Sequence, residues 1–175
     1  MQLSFEVDPD LTAALRADVA RLWASVVNAG GAVGFVPPVG VDDVRPTAEA
    51  ALDAVAKGTD RLLAGFDGGR LVALLFVADN GHKLQTHWRT LKRVMVDPAS
   101  QGAGHGAAIM REATAVARKM GLDALRVTVR GGTGTDAFYA KFGYREVGRL
   151  PGAIRVAADG GDDRDEIIMW LDLRE

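Results

Sequence analysis

The stretch from Val94 to Ala108, VMVDPASQGAGHGAA, places Gly102, Gly104 and Gly106 in alternation between a branched apolar run and an alanine-rich helical pattern. Glycine has the most backbone freedom to lose on folding, so three of them together imply a use. Between a strand end and a helix start they let successive backbone N–H groups converge on one point. The helix N-terminus adds partial positive charge there, and the combination binds an anion, usually phosphate. Two familiar phosphate motifs fit poorly. A P-loop needs Gly-Lys-Ser/Thr after the glycines, where His105-Gly106-Ala107 follows Gly104. A dinucleotide fingerprint wants G-x-G-x-x-G near the first strand and a carboxylate ending the next one. Here the spacing is G-x-G-x-G, the motif lies past mid-chain, and the next strand ends in Arg130. A plain tight turn into a helix would account for one or two of the glycines.

The elements that must hold this loop can be read from periodicity. SFEV is a short strand, and Asp8-Pro9 looks like a helix start. Leu11, Leu15, Val19, Leu22 and Val26 then recur at helical spacing, which predicts a helix over 10–27. NAGGAVGFVPPVG breaks it. That loop carries Val33, Phe35 and Val36, and exposed apolar groups in a loop mark a binding loop more often than a linker. A second helix is expected from about Pro46 to Lys57, stopped by Gly58. RLLAGF and LVALLFVA flank a glycine turn and read as a hairpin. A longer strand spans about 86–96, and a helix follows the glycines to Gly121. Then come a strand over 124–129, a short helix over 135–143 closed by Gly143, and two further strands, with 157–163 as the turn before the last. The order β-α-α-β-β-β-α-β-α-β-β is that of one α+β domain over 1–175, with a mixed, mostly antiparallel sheet of about seven strands flanked by about four helices.

Composition narrows the class. The chain has 175 residues, 48% of them hydrophobic, and a formal net charge of −2, so no basic field would draw in nucleic acid. It has no cysteine, which removes disulfides, thiolate metal sites and cysteine nucleophiles, and no metal is expected. The N-terminal MQLSFEVDPD lacks the basic start and apolar run of a signal peptide, and no window of about 18 apolar residues suggests a membrane span. A soluble cytoplasmic protein with no membrane partner is the expectation.

Gln101-Gly102-Ala103-Gly104-His105-Gly106 resembles the Q/R-x-x-G-x-G/A loop of the GNAT N-acetyltransferase superfamily. RVMVDP before it, a long helix after it, and AFYAKFGY with Tyr139, Gly143 and Tyr144 about thirty residues on extend the resemblance across nearly the whole chain. GGAVGFVPP, LPG at 150–152 and AADGG look similar to the tabtoxin-resistance acetyltransferase group. The resemblance implies the GNAT fold and acetyl transfer from acetyl-CoA to an amine. Gln101 and the amides of Gly102, Ala103, Gly104, His105 and Gly106 would then hold the pyrophosphate. Backbone beside Met95 and Val96 would face the thioester, where a preorganised donor contributes on the order of 3 kcal/mol. Tyr139 would stand near the coenzyme sulfur as cofactor contact and general acid, or pack its ring and wet its hydroxyl. Many relatives have asparagine where Gly132 stands, and the tabtoxin-resistance group has an aspartate where Thr128 stands.

The general base is therefore open. His87 on the fourth strand, beside Trp88, is matched to proton transfer near neutral pH, and a chain of waters is an equal account. The resemblance puts the acceptor between the first two helices, so Phe35, Val36 and Trp88 are candidate substrate contacts, with Arg130 for an acceptor carboxylate. The acidic run from Asp159 to Asp165 could favour a cationic amine or simply be solvated. The expected partner is a small-molecule amine, amino acid-like or antibiotic-like. An acyl-CoA-binding regulatory module and a protein N-terminal or lysine acetyltransferase are the alternatives. Many relatives dimerise, so a homodimer is compatible with this reading.

Overall fold

The computed structural model describes residues 3–157 and 161–174. Its elements follow the expected order. They are β1 (Ser4–Val7), α1 (Ala13–Asn28), α2 (Val41–Ala56), β2 (Arg61–Asp67), β3 (Arg70–Ala78), β4 (Trp88–Val96), α3 (His105–Lys119), β5 (Ala124–Arg130), α4 (Thr135–Ala140), β6 (Arg145–Arg155) and β7 (Asp163–Asp172). The seven strands form one sheet in the order β1-β2-β3-β4-β5-β7-β6. Every neighbouring pair is antiparallel except β4 and β5. No helix among the described residues is long and apolar enough to cross a membrane.

The sheet separates two cores. α1 and α2 cover one face, and α3 with α4 covers the other. β3 shows why the sequence read as a continuous apolar run: Ala73, Leu75 and Val77 pack with α3, while Leu74 and Phe76 pack with α1 and α2. A strand buried on both faces loses the apolar–polar alternation of a half-exposed one. In α1, Leu15, Val19, Leu22, Trp23 and Val26 form the buried stripe. In α3 the stripe is Ile109, Met110, Ala113, Val116 and Ala117.

Both N-terminal helices start elsewhere than expected. Asp8 is no helix cap. Its carboxylate accepts from the Leu62 amide at 2.8 Å and from Arg61 at 2.5 Å, tying the end of β1 to β2. Thr12 caps α1 instead, accepting from the Leu15 amide at 3.2 Å. α2 begins at Val41, five residues before Pro46, which lies inside the helix. Asp42 and Asp43 occupy the first turn, where carboxylates complement the helix dipole, and Asp43 accepts from the Gly40 amide at 2.7 Å. Pro46 is exposed and close to this end, so water can serve the carbonyl its missing N–H leaves unpaired. Part of the turn expected over 157–163, residues 158–160, lies outside the described residues.

Candidate active site

The site is made by two strands that part. β4 and β5 pair only over Trp88–Thr90 and Ala124–Arg126. Beyond that point β4 continues beside β3 as far as Val96, and β5 continues beside β7 as far as Arg130. The strands diverge because each keeps its outer partner, and the gap between them opens a cleft of about 720 Å³. Leu91 to Val94 and Val96 line one side, and Val127 to Arg130 the other. At one end the cleft reaches Gly31, Ala32 and Val33 after α1. It also reaches Gln101, Gly102, Gly104 to Ala107 and Tyr139.

The end at the start of α3 is built by backbone conformation. Gly104 is the residue before α3, at φ +82°, and Gly102 lies at φ +83°. Both are in the left-handed region, where a Cβ is penalised. The first α3 bond runs from the Ala108 amide to the Gly104 carbonyl at 3.0 Å, so the amides of His105, Gly106 and Ala107 precede the helical ladder. Gly106 has different surroundings. A Cβ there would meet the Phe138 ring at 3.4 Å, ordinary contact distance, so Gly106 lies where α4 packs against the start of α3. The loop is held from below by Arg70, which pairs with Asp97 and donates to the Ser100 hydroxyl at 3.2 Å. Asp97 in turn accepts from the Ala99 amide at 3.0 Å. Sequence reasoning missed Arg70, which sits on the hairpin strand and reaches the loop only through the pairing of β3 with β4.

Tyr139 lies on α4, is 4% exposed and lines the cleft. Its ring packs edge-on against Phe138 at 5.3 Å and Tyr144 at 5.6 Å. Burial holds its phenol well above the ordinary value near 10, so the hydroxyl keeps its proton across the physiological range. Gly132, where relatives have asparagine, sits at φ +78°, and a Cβ there would lie 2.6 Å from Arg164 Nη1. Arg164 and a side chain at residue 132 compete for one space.

The other expected residues divide. Val96, Gln101, Gly102, Gly104, His105, Gly106, Arg130 and Tyr139 all line the cleft, as does Thr128, while Ala103 does not. The Met95 side chain is buried in the core against α1 and α2. His87 and Trp88 are at the wrong end of β4. His87 is exposed, and its carbonyl accepts from the Asp123 amide at 2.7 Å where β5 begins. Eight residues separate it from Met95, on the order of 25 Å at about 3.3 Å per residue. Trp88 packs against Trp170 at 5.1 Å under the Arg126 guanidinium. Phe35 packs edge-on against Trp23 at 6.3 Å, and Val36 is 47% exposed; neither lines the cleft, although their neighbours Gly31 to Val33 do. The described part of the acidic run is paired: Asp162 with Arg164, Asp163 with Arg155 and Asp165 with Arg149. Asp163 and Asp165 are held below the usual carboxylate range by those hydrogen bonds, with the Gly152 amide contributing most at Asp165. The described part of the run, Asp162 to Asp165, therefore has its carboxylates paired with arginines.

Strands that part beside a helix start with open amides leave room for an extended ligand that ends in an anion. The model of the acetyltransferase (GNAT) family matches residues 32–144, and the chain belongs to that family. Members of the family use acetyl-CoA. The fold is shared with solved structures of low sequence identity. A provisionally assigned phosphinothricin N-acetyltransferase is 19% identical, with a TM-score of 0.79 over 99% of this chain and 100% of that one. The ribosomal-protein-S18-alanine N-acetyltransferase of Escherichia coli is 18% identical, with a TM-score of 0.73 over 98% and 94%. A provisionally assigned acetyltransferase of Salmonella typhimurium, solved with its cofactor acetyl-CoA, is 18% identical, with a TM-score of 0.75 over 100% and 96%.

Proposed function

We propose that this protein transfers the acetyl group of acetyl-CoA to the primary amine of a small molecule by direct attack. The observation that carries the reading is the continuous cleft from the amides at the start of α3, through the opening between β4 and β5, to the loop after α1. Gln101 and the loop amides would hold the pyrophosphate. Val96 and the backbone beside it would face the acetyl group. The amine nitrogen forms a bond to the acetyl carbon as the carbon–sulfur bond breaks. Tyr139, kept neutral by burial, would give its proton to the departing thiolate and recover one from solvent. The acceptor would enter past Gly31 to Val33. No carboxylate is among the described lining residues, and His87 lies far off, so the amine would lose its proton to water in the cleft. Acetyl transfer to spermidine and to ribosomal-protein alanine is named for other proteins of this fold, so the acceptor class needs its own argument.

That lack of a carboxylate also favours a second reading, an acyl-CoA-binding module with little turnover. Two measurements separate them. Calorimetry with acetyl-CoA should show micromolar binding, and no heat at millimolar concentration would sink both. A thiol-release screen against an amine panel should find an acceptor. With that acceptor, Tyr139→Phe should lower kcat by about 100-fold while changing acetyl-CoA affinity less than about 3-fold, as loss of a positioned acid does. Binding without turnover of any amine would leave the module.

A further inference from the structure

Arg93 interrupts β4. Leu74 pairs with Met95 and Phe76 with Lys92, so β4 holds one extra residue opposite β3, and Arg93 adopts φ +54°. Such a bulge re-aims a side chain that regular alternation would direct elsewhere. A bulky residue at positive φ is strained, and strain of this kind marks functional positions.

The guanidinium has a prepared seat. Its carbon lies 5.3 Å from the centroid of the Trp23 ring. On another side it meets Gly34, where a Cβ would lie 2.7 Å from Nη1 and 2.9 Å from Cζ. Trp23 is itself fixed, donating its indole N–H to the Val33 carbonyl at 2.9 Å. The seat is thus rigid on both sides before any ligand arrives.

What the seat lacks is an anion. Arg16, Arg61, Arg70, Arg89 and Arg149 each hold a carboxylate. Arg93 has no carboxylate partner among the described residues, although burial strips enough water to lower its guanidinium from the ordinary value. A half-buried cation without a counter-ion is costly unless something supplies one. Arg93 lines the cleft, and its guanidinium meets Gly34, which follows the lining residues Gly31 to Val33. Lys92 and Arg130 line the same cleft and add like charge.

We propose that Arg93 is the anchor for a carboxylate on the acceptor, so that the substrates are amino acid-like amines and polyamines are rejected. The assignment rests on the acetyl-transfer reading. A guanidinium offers paired N–H donors to a carboxylate, and its seat on Trp23 removes the entropy cost of ordering it. The three cations with no opposing carboxylate repel a polycationic acceptor.

The test uses the full chain with saturating acetyl-CoA and measures thiol release with α-amino acids and with their carboxamides, which keep the amine and lose the carboxylate. The best amino acid should exceed its carboxamide by about 100-fold in kcat/KM, the scale of one charge-assisted bidentate pair. Arg93→Gln should bring that ratio within about 3-fold, chiefly through KM, while acetyl-CoA affinity by calorimetry moves less than about 3-fold. Arg93→Lys should recover part of the ratio, and Arg130→Gln should leave it standing. Intact acetyl-CoA binding with carboxamides acetylated as well as acids overturns the assignment. So does a panel in which no carboxylated amine turns over, or one in which Arg130→Gln rather than Arg93→Gln erases the ratio. A wild-type ratio near one overturns the assignment even if a variant fails to fold, and Arg93→Lys, which keeps the cation, stands in if Arg93→Gln does not fold. Absence of acetyl-CoA binding by the wild type instead overturns the transfer reading, and the assignment with it.

Discussion

Two glycine-rich loops border the same cleft, and they do different jobs. One runs from Gln101 into α3, and the other from Gly131 into α4. Each ends in a left-handed glycine just before its helix, Gly104 at φ +82° and Gly134 at φ +74°. They diverge in what surrounds them. Around Gly102 and Gly104 a Cβ would meet nothing, and the helix that follows is 15 residues long. Around Gly131 and Gly132 a Cβ would meet Asp165 and Arg164, and α4 has 6 residues. Open space before a long helix suits an incoming anion, because the amides and the dipole are unused by the protein. Crowded space at Gly131 and Gly132 suits packing, while Gly134 itself stands open before a short helix. Similar glycine content therefore leaves open space in one place and lets chain approach chain in the other.

The comparison breaks most sharply if one substitution is made in both caps. Gly104→Asp should lower acetyl-CoA affinity by more than about 100-fold in calorimetry, since it sets a carboxylate against the pyrophosphate. Gly134→Asp should leave affinity within about 3-fold, and each should cost about 1–2 kcal/mol of stability from the left-handed backbone. Equal losses of affinity would mean that both loops carry phosphate. A smaller effect comes from Gly131→Ala. The new methyl would lie 3.2 Å from Asp165 Cβ and 3.3 Å from its carbonyl oxygen. Overpacking of this kind should cost about 1–3 kcal/mol, visible as a drop in Tm, with acetyl-CoA affinity unchanged.

The smallest effect is at the tyrosines that anchor α4. Burial raises both phenols above the ordinary value near 10, and the Tyr144 hydroxyl has no partner among the described residues. A folded-state pKa above the unfolded one stabilises the fold fully below about pH 10 and is lost as pH climbs past it. Thermal melts should therefore show Tm falling above pH 10. Tyr144→Phe should flatten that fall and raise neutral-pH stability by up to about 1 kcal/mol, because it removes a buried unpaired hydroxyl. A melt series indifferent to alkaline pH would mean that α4 loosens before its tyrosines titrate.

Much of this was legible in local pattern. The element order, the anion loop and Tyr139 on its short helix each announce themselves within a few residues, through periodicity, glycine spacing or a capping residue. The misplaced residues share a different origin. The spacing carries β4 back to 86 and so puts His87 on the strand, whereas β4 begins at Trp88 with His87 in the turn before it, and the point where β5 stops pairing with β4 has no signature in β4 itself. Phe35 and Val36 share a loop with Gly31 to Val33, which line the cleft, but only packing against Trp23 decides that Phe35 turns to the core. Arg93 gave no signal, since a bulge and a left-handed arginine follow from register across β3 and β4 rather than from any motif.

The sequence by itself determined the set of elements, the family and the amide loop, because hydrophobic period and backbone permissiveness act over one or two turns of chain. Tertiary structure alone decided where the sheet opens, which residues share the cleft, and which cations there lack a carboxylate among the described residues. Those depend on hydrogen-bond register and on burial among residues distant in the chain. A free-energy balance of that kind is summed over three dimensions, and no single stretch of sequence contains it.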